Sequence, residues 1–170
     1  MAIKLQDINK ARYRKHLNIV IGVVIVLMLS LSLGCSTLLI QLLGSDGSHF
    51  KLNLAGVAIA GVIVLLLLKA VRYEPFMYEV MYVWELKKSI NLINRHINKV
   101  IAAVEDGDKV AMQILNYCYQ ASKQLYTLDD NMVNMDELNQ AIDNLQKDAQ
   151  AAGLVLDLSH YQPEHLADYR

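Results

Sequence analysis

Cysteine is scarce in this chain, 2 of 170 residues, and so are proline (2), tryptophan (1) and phenylalanine (2). So few cysteines exclude a disulfide-stapled mini-domain, and their separation offers no zinc or redox pair. Two prolines and 8 glycines exclude collagen-like repeats and long Pro- or Gly-rich linkers. Charge of one sign is missing too: 16 Lys+Arg against 17 Asp+Glu leave a formal net charge of -1, so no global basic excess points to nucleic acid. Apolar residues are abundant, 54% against 19% charged, which excludes disorder. A mean hydropathy of +0.25 in a chain this charged requires the apolar residues to be concentrated, as in a membrane protein with a soluble part.

They are concentrated in two places. Leu17 to Leu43 is a run of 27 residues, and Leu52 to Leu68 one of 17, with no charged side chain in either. At about 1.5 Å per residue the first is about 40 Å long as a helix, against a hydrocarbon core of about 30 Å. The second reaches that thickness when extended through Lys69, Ala70 and Val71, because a terminal lysine snorkels to the headgroups. We expect transmembrane helices over 17–43 and 52–71, joined as an antiparallel hairpin by the short polar loop 44–51 with Asp46 and His49 at its tip. Lipoprotein cleavage at Cys35 is disfavoured, since Ser32 stands where a leucine is usual and the apolar run continues past it.

Lys4, Lys10, Arg12, Arg14 and Lys15 precede the first span, Lys51 alone lies in the loop, and Lys69, Arg72, Lys87 and Lys88 follow the second. By the positive-inside rule both termini are expected in the cytoplasm, with 1–16 a basic arm. Arg12, Arg14, Lys15, Arg72, Tyr73 and Trp84 are the expected anchors at the membrane interface, where cations and amphipathic rings favour the headgroup layer. Within the spans, Ser30, Gly34, Thr37 and Gln41 share one helix face, as do Asn53, Gly56 and Ala60. Small and weakly polar residues at that spacing make a packing seam, and the absence of any Asp, Glu, Lys or Arg disfavours a proton relay.

After Arg72 the composition turns acidic, with eight Lys+Arg and fifteen Asp+Glu from Tyr73 to Arg170. Pro75 marks the boundary as a first-turn residue or a kink. Val83, Leu86, Ile90, Ile93, Ile97, Val100 and Val104 step by three and four, the seam of one long helix. Gly107 and Asp108 supply a turn and an N-cap. Ala111, Ile114, Cys118, Ala121, Leu125 and Leu128 repeat the pattern, which makes Cys118 a buried thiol rather than a nucleophile. Asn134 with Glu137 resembles a capping box for a third helix ending at Gly153. The expected fold is therefore all-α: a transmembrane hairpin followed by a cytosolic antiparallel three-helix bundle over 72–153. The first cytosolic helix outruns its partners, so Val83, Leu86 and Ile90 are expected to form a membrane-proximal interaction surface. The tail 154–170 is expected to lie extended on the bundle or against a partner. Its His160, Glu164 and His165 are a weak metal signal, and a solvated tail is the better reading.

Several short motifs, Asn9-Lys10-Ala11-Arg12-Tyr13-Arg14, Tyr82-Val83-Trp84-Glu85-Leu86-Lys87, Asp106-Gly107-Asp108, Tyr117-Cys118-Tyr119 and Leu125-Tyr126-Thr127-Leu128-Asp129-Asp130-Asn131, resemble the domain of unknown function 3087 family up to about Gly153. The resemblance implies a small multi-pass protein of the Gram-negative inner membrane, and it brings no catalytic residues. No phosphate loop, metal-ligand cluster or nucleophile with a base nearby is legible. The expectation is a non-enzymatic interaction protein, an adaptor or accessory subunit without cofactor. Its expected partners are membrane lipid and further copies or subunits, not nucleic acid. A small oligomeric channel or transport component is the alternative.

Overall fold

The computed structural model describes residues 3–44 and 48–169. The described residues are helical, with no strand among them: α1 (Lys10–Leu43), α2 (Phe50–Val71), α3 (Tyr78–Asn94), α4 (Ile97–Glu105), α5 (Lys109–Asp129) and α6 (Met135–Ala151), with 3-10 turns at Pro75–Met77, Leu158–His160 and Pro163–Tyr169. Two compact units result, one of Ala11–Val80 and one of Met81–Arg170 together with Met1–Lys10.

In the first unit, α1 begins two turns before the apolar run, because Lys10, Ala11, Arg12, Arg14 and Lys15 are good helix formers. The basic segment is thus partly a helical extension of the span rather than a separate arm. Both helices are long and apolar enough to cross a membrane, the most apolar 18-residue stretch of each having a mean hydropathy of 2.6. Protein does not cover them: only 6% of the most apolar stretch of α1 and 17% of that of α2 is buried. A core helix of a soluble domain shows the opposite. Asp46, at the tip of the expected loop, lies outside the described residues, whereas His49 immediately precedes α2. Pro75 occupies the first turn of its 3-10 segment, where its missing amide costs nothing, and Glu74 before it is extended.

The second unit has four helices, not three. The long helix expected from Val83 to Val104 is broken at Arg95 and His96, where His96 N–H bonds the Ile93 carbonyl at 2.8 Å and Lys99 N–H that of His96 at 3.0 Å. Asn91, Asn94 and Asn98 among β-branched isoleucines form a poor helix, and a turn of i→i+3 bonds relieves it. The apolar register survives the break, since Ile93 and Val100 are both fully buried. Gly107 turns the chain at φ +83. Asp108 then caps α5 by accepting from the amides of Val110 and Ala111 at 2.7 and 3.2 Å. α5 is the centre of the unit: it packs on α4 and α6, and every residue from Ala111 to Cys118 is buried. Asp130 ends it in the left-handed conformation. Asn134 precedes α6 but makes no side-chain cap bond. Its φ of -108 and ψ of 17 are not the extended geometry that aims a cap side chain at the helix, so the capping box does not form.

Two flanking segments complete the bundle. The N-terminal stretch lies against α3 and α5: the Gln6 amide donates to the Tyr82 hydroxyl at 3.0 Å, Tyr82 donates to Gln124 Oε1 at 2.7 Å, and Gln124 Nε2 donates back to the Gln6 carbonyl. Ile8 is buried there. At the other end the tail is held by one amide side chain, Gln113, whose Nε2 donates to the Val155 carbonyl at 2.8 Å and whose Oε1 accepts from the Asp157 amide at 2.9 Å. That pair of bonds is what a neighbouring strand would offer, which is why the alternating segment is extended as far as Asp157 with no sheet, before the 3-10 turn at Leu158–His160 begins.

Candidate functional site

In the hairpin unit, Gly56, Ala60 and Val64 form a buried stripe at i, i+4, i+8 on α2. It meets α1 at Ser36: a Cβ added to Gly56 would sit 2.2 Å from Ser36 Oγ and 2.6 Å from its backbone nitrogen. Ser36 Oγ donates across the seam to the Asn53 carbonyl at 3.3 Å, although the Asn53 side chain itself is exposed. The α1 half of the seam departs from the sequence reading. Ser30, Gly34, Thr37 and Gln41 are exposed, and a Cβ on Gly34 would meet nothing within 4 Å. Ser30 and Thr37 have no need of α2, because each hydroxyl donates to its own helix, to the Val26 and Leu33 carbonyls, both at 2.8 Å. The face turned toward α2 includes Ser36, two residues beyond Gly34.

Between α1 and α2 lies an apolar crevice of about 490 Å³, lined among others by Val20, Val24, Leu27, Val64 and Leu68, with Phe76 and Met77 at one end. Beside Phe76, whose ring lies 4.2 Å from that of His16, is the most buried carboxylate of the unit. Glu79 is 2% exposed; Oε1 accepts from Arg12 Nε, and Oε2 accepts from His16 Nδ1 at 3.1 Å. A carboxylate only accepts, so the hydrogen bond assigns the proton to His16 Nδ1. Burial alone would raise the Glu79 pKa, but the hydrogen bonds from its own backbone, Arg12 and His16, with the Arg12 charge, outweigh it and hold the carboxyl below its usual range. The cluster is an electrostatic clasp between residue 12 of α1 and the start of α3.

Of the other expected anchors, Arg14, Lys15 and Tyr73 are exposed, Arg72 bonds and stacks on Tyr73, and Lys88 lies over the exposed Trp84 ring at 5.4 Å. The expected membrane-proximal interaction residues are not available as a surface. Val83, Leu86 and Ile90 are buried, Leu86 completely. The N-terminal stretch, bonded through Gln6 to Tyr82, adds cover beside them that periodicity cannot show. Cys118 is buried on the seam, its thiol pushed up to about 11 by burial and therefore unreactive at neutral pH. His160 pairs with Asp157 at 3.3 Å, and among the described residues no three His, Cys, Asp or Glu side chains converge as metal ligands do.

A sequence model described as "Protein of unknown function (DUF3087)" matches residues 3–166, nearly the whole chain. The chain belongs to the DUF3087 family. The DUF3087 match runs past Gly153 and includes most of the tail, which agrees with a tail built into the bundle: Tyr161 is stacked on Tyr117 with ring centroids 4.4 Å apart, and Leu166 is buried. No curated protein and no solved structure matches the chain. The structural roles of Glu79, Tyr82, Gln113, Tyr117 and Gln124 in this DUF3087 protein were not legible in sequence, for each acts on a partner more than 40 residues away in the chain. The one available sign was a glutamate set among aromatic and apolar residues at Phe76–Val80.

Proposed function

We propose that this protein is a non-enzymatic, membrane-anchored helical interaction protein, an adaptor or accessory subunit. α1 and α2 span the bacterial inner membrane and both termini lie in the cytoplasm. The observation that carries the reading is the bareness of α1 and α2: Leu33 and Leu42 are 71% and 78% exposed, in helices whose Ser30, Ser36 and Thr37 hydroxyls bond backbone carbonyls of the hairpin. In water such a surface is strongly unfavourable, at about 25 cal/mol per Å² of apolar area, and in lipid it is not. The cation distribution supports the sidedness. In a chain whose Cys35 and Cys118 have been replaced, a cysteine at Ser48 labels with an impermeant thiol reagent from the periplasmic face, and one at the exposed Gln140 labels only after the membrane is opened. The reverse pattern, or recovery of the chain in the soluble fraction, defeats the reading.

An oligomeric channel is the second reading. It is favoured by the exposure of Ser30, Gly34, Thr37 and Gln41 along one face of α1 that α2 leaves uncovered. Conductance in liposomes that Gln41→Leu abolishes would choose it over the adaptor.

A further inference from the structure

The crevice between α1 and α2 has a definite depth, wall chemistry and rim. On α1 its walls run from Ile19 to Leu27 and on α2 from Val64 to Val71, about 12 Å along a helix axis at 1.5 Å per residue. Glu74 is the one lining residue with a polar side chain. It follows α2 by three residues, so the wall is hydrocarbon and the carboxylate belongs to the rim. The outer lining is open, with Ile19, Val23, Leu67 and Val71 exposed, so the slot communicates laterally with whatever surrounds the hairpin.

The size selects the occupant. The walls run for about 12 Å, against the about 30 Å that a membrane-crossing helix must cover, so a further helix would find a matching wall over less than half of its span. An unbranched hydrocarbon chain is far thinner and enters sideways. The rim supplies the second selection. Lys15 lies one helical turn from the lining residue Ile19 on the same face, and Arg72 adjoins Val71. Within residues 11–16 and 69–80 there are five cations, Arg12, Arg14, Lys15, Lys69 and Arg72, against the two carboxylates Glu74 and Glu79. Glu79 is held by Arg12 and His16, which leaves a positive excess where a phosphate would lie.

We propose that this crevice is a lipid site: one acyl chain of an anionic phospholipid lies between α1 and α2, with its headgroup on the cations that include Lys15 and Arg72. The inference rests on the membrane reading above and specifies one partner for it. Bound lipid would fill the space between α1 and α2 and so set their separation there.

The test is native mass spectrometry of the full chain released from mild detergent, then after delipidation and re-addition of phosphatidylglycerol or phosphatidylethanolamine vesicles. The expected result is one retained phospholipid per chain, with phosphatidylglycerol preferred about fivefold, in line with the attraction of juxtamembrane cations to anionic lipid. Val24→Trp and Leu68→Trp, which fill the slot, should each abolish retention, while the variants still partition into the membrane fraction and keep the helical circular dichroism of the parent. Lys15→Gln with Arg72→Gln should keep the lipid and lose the preference. Absence of retained lipid in the parent chain, retention unaffected by both tryptophan variants, or a second copy of the chain in place of lipid would each overturn the proposal. Loss of membrane partitioning by the parent chain would instead overturn the membrane reading on which it rests.

Discussion

Tyr117, in the middle of α5, donates its hydroxyl proton to the backbone carbonyl of Ile3 at 2.8 Å, across 114 positions of sequence. The contact makes the N-terminal stretch part of the bundle's core. Tyr117→Phe should lower stability by about 1 kcal/mol, the net worth of a hydrogen bond whose acceptor stays behind. Ile8→Ala should cost more, about 2–4 kcal/mol, because it removes buried hydrocarbon. Thermal unfolding of the detergent-solubilised chain checks both. Two unchanged midpoints would mean that the stretch is not docked.

Glu79 gives the chain a predictable acid limb. Its folded-state pKa lies below the usual carboxylate value of about 4.3, so its stabilising contribution is present above that pH and is lost as pH falls through the folded value. Glu79→Gln should therefore flatten the decline in stability below about pH 4.3. Arg12→Ala should be destabilising at neutral pH by about 1–3 kcal/mol, less than for a fully buried pair because the Arg12 side chain is 61% exposed. Midpoints measured from pH 3 to 7 in the three proteins decide it; parallel curves would show that the clasp contributes nothing.

Local chemistry in this chain was readable and long-range closure was not. The two apolar runs, the N-cap at Asp108, the turn at Gly107, the helix end at Gly153 and the burial of Cys118 follow from neighbours a few residues apart. The same periodicity continued straight through Arg95 and His96, because a 3-10 turn keeps isoleucines on one face while changing the path of the backbone. It also left Val83, Leu86 and Ile90 bare, because an extended stretch such as Ile3–Asn9 has no period by which to be recognised. On α1 the residue that meets α2 is Ser36 rather than Gly34, and only the approach of Gly56 reveals it.

The tail should detach in alkali. Tyr169 donates to Asp108 Oδ2 at 2.8 Å; burial first, and the neighbouring carboxylate second, raise its pKa. Burial likewise pushes Tyr117 up to about 12. For a group whose folded pKa is raised, the stabilisation is complete below the unfolded value, about 10, and is lost as pH rises through the folded one. Stability should fall from about pH 10 upward, and the fall should be shallower in Tyr169→Phe. Asp108→Ala should cost about 1–2 kcal/mol even at neutral pH, since it removes the α5 cap together with the tail bond. Limited proteolysis after Leu158 as a function of pH reads the detachment, and a cleavage rate that does not rise between about pH 10 and about pH 12 would contradict it.

Glycine substitutions in the hairpin separate its internal seam from its outer faces. At Gly56 the nearest atoms to an added Cβ include the Ser36 backbone nitrogen at 2.6 Å, which cannot swing away as a side chain does. Gly56→Ala must therefore push α2 off α1 and break the Ser36 bond to the Asn53 carbonyl, and Gly56→Ile must do so further. A Cβ at Gly34 meets nothing within 4 Å, so Gly34→Ile should leave the isolated hairpin intact. Closely packed small residues are what hold membrane helices together, because lipid supplies no hydrophobic drive between them. The thermal midpoint of the purified monomer should drop in both Gly56 variants and stay level in Gly34→Ile. Should Gly34→Ile instead reduce the particle to a smaller size with its midpoint unchanged, the face of Ser30, Gly34, Thr37 and Gln41 would be assigned to contacts between copies. Equal midpoints for Gly56→Ile and Gly34→Ile would mean that α1 and α2 do not touch at Ser36.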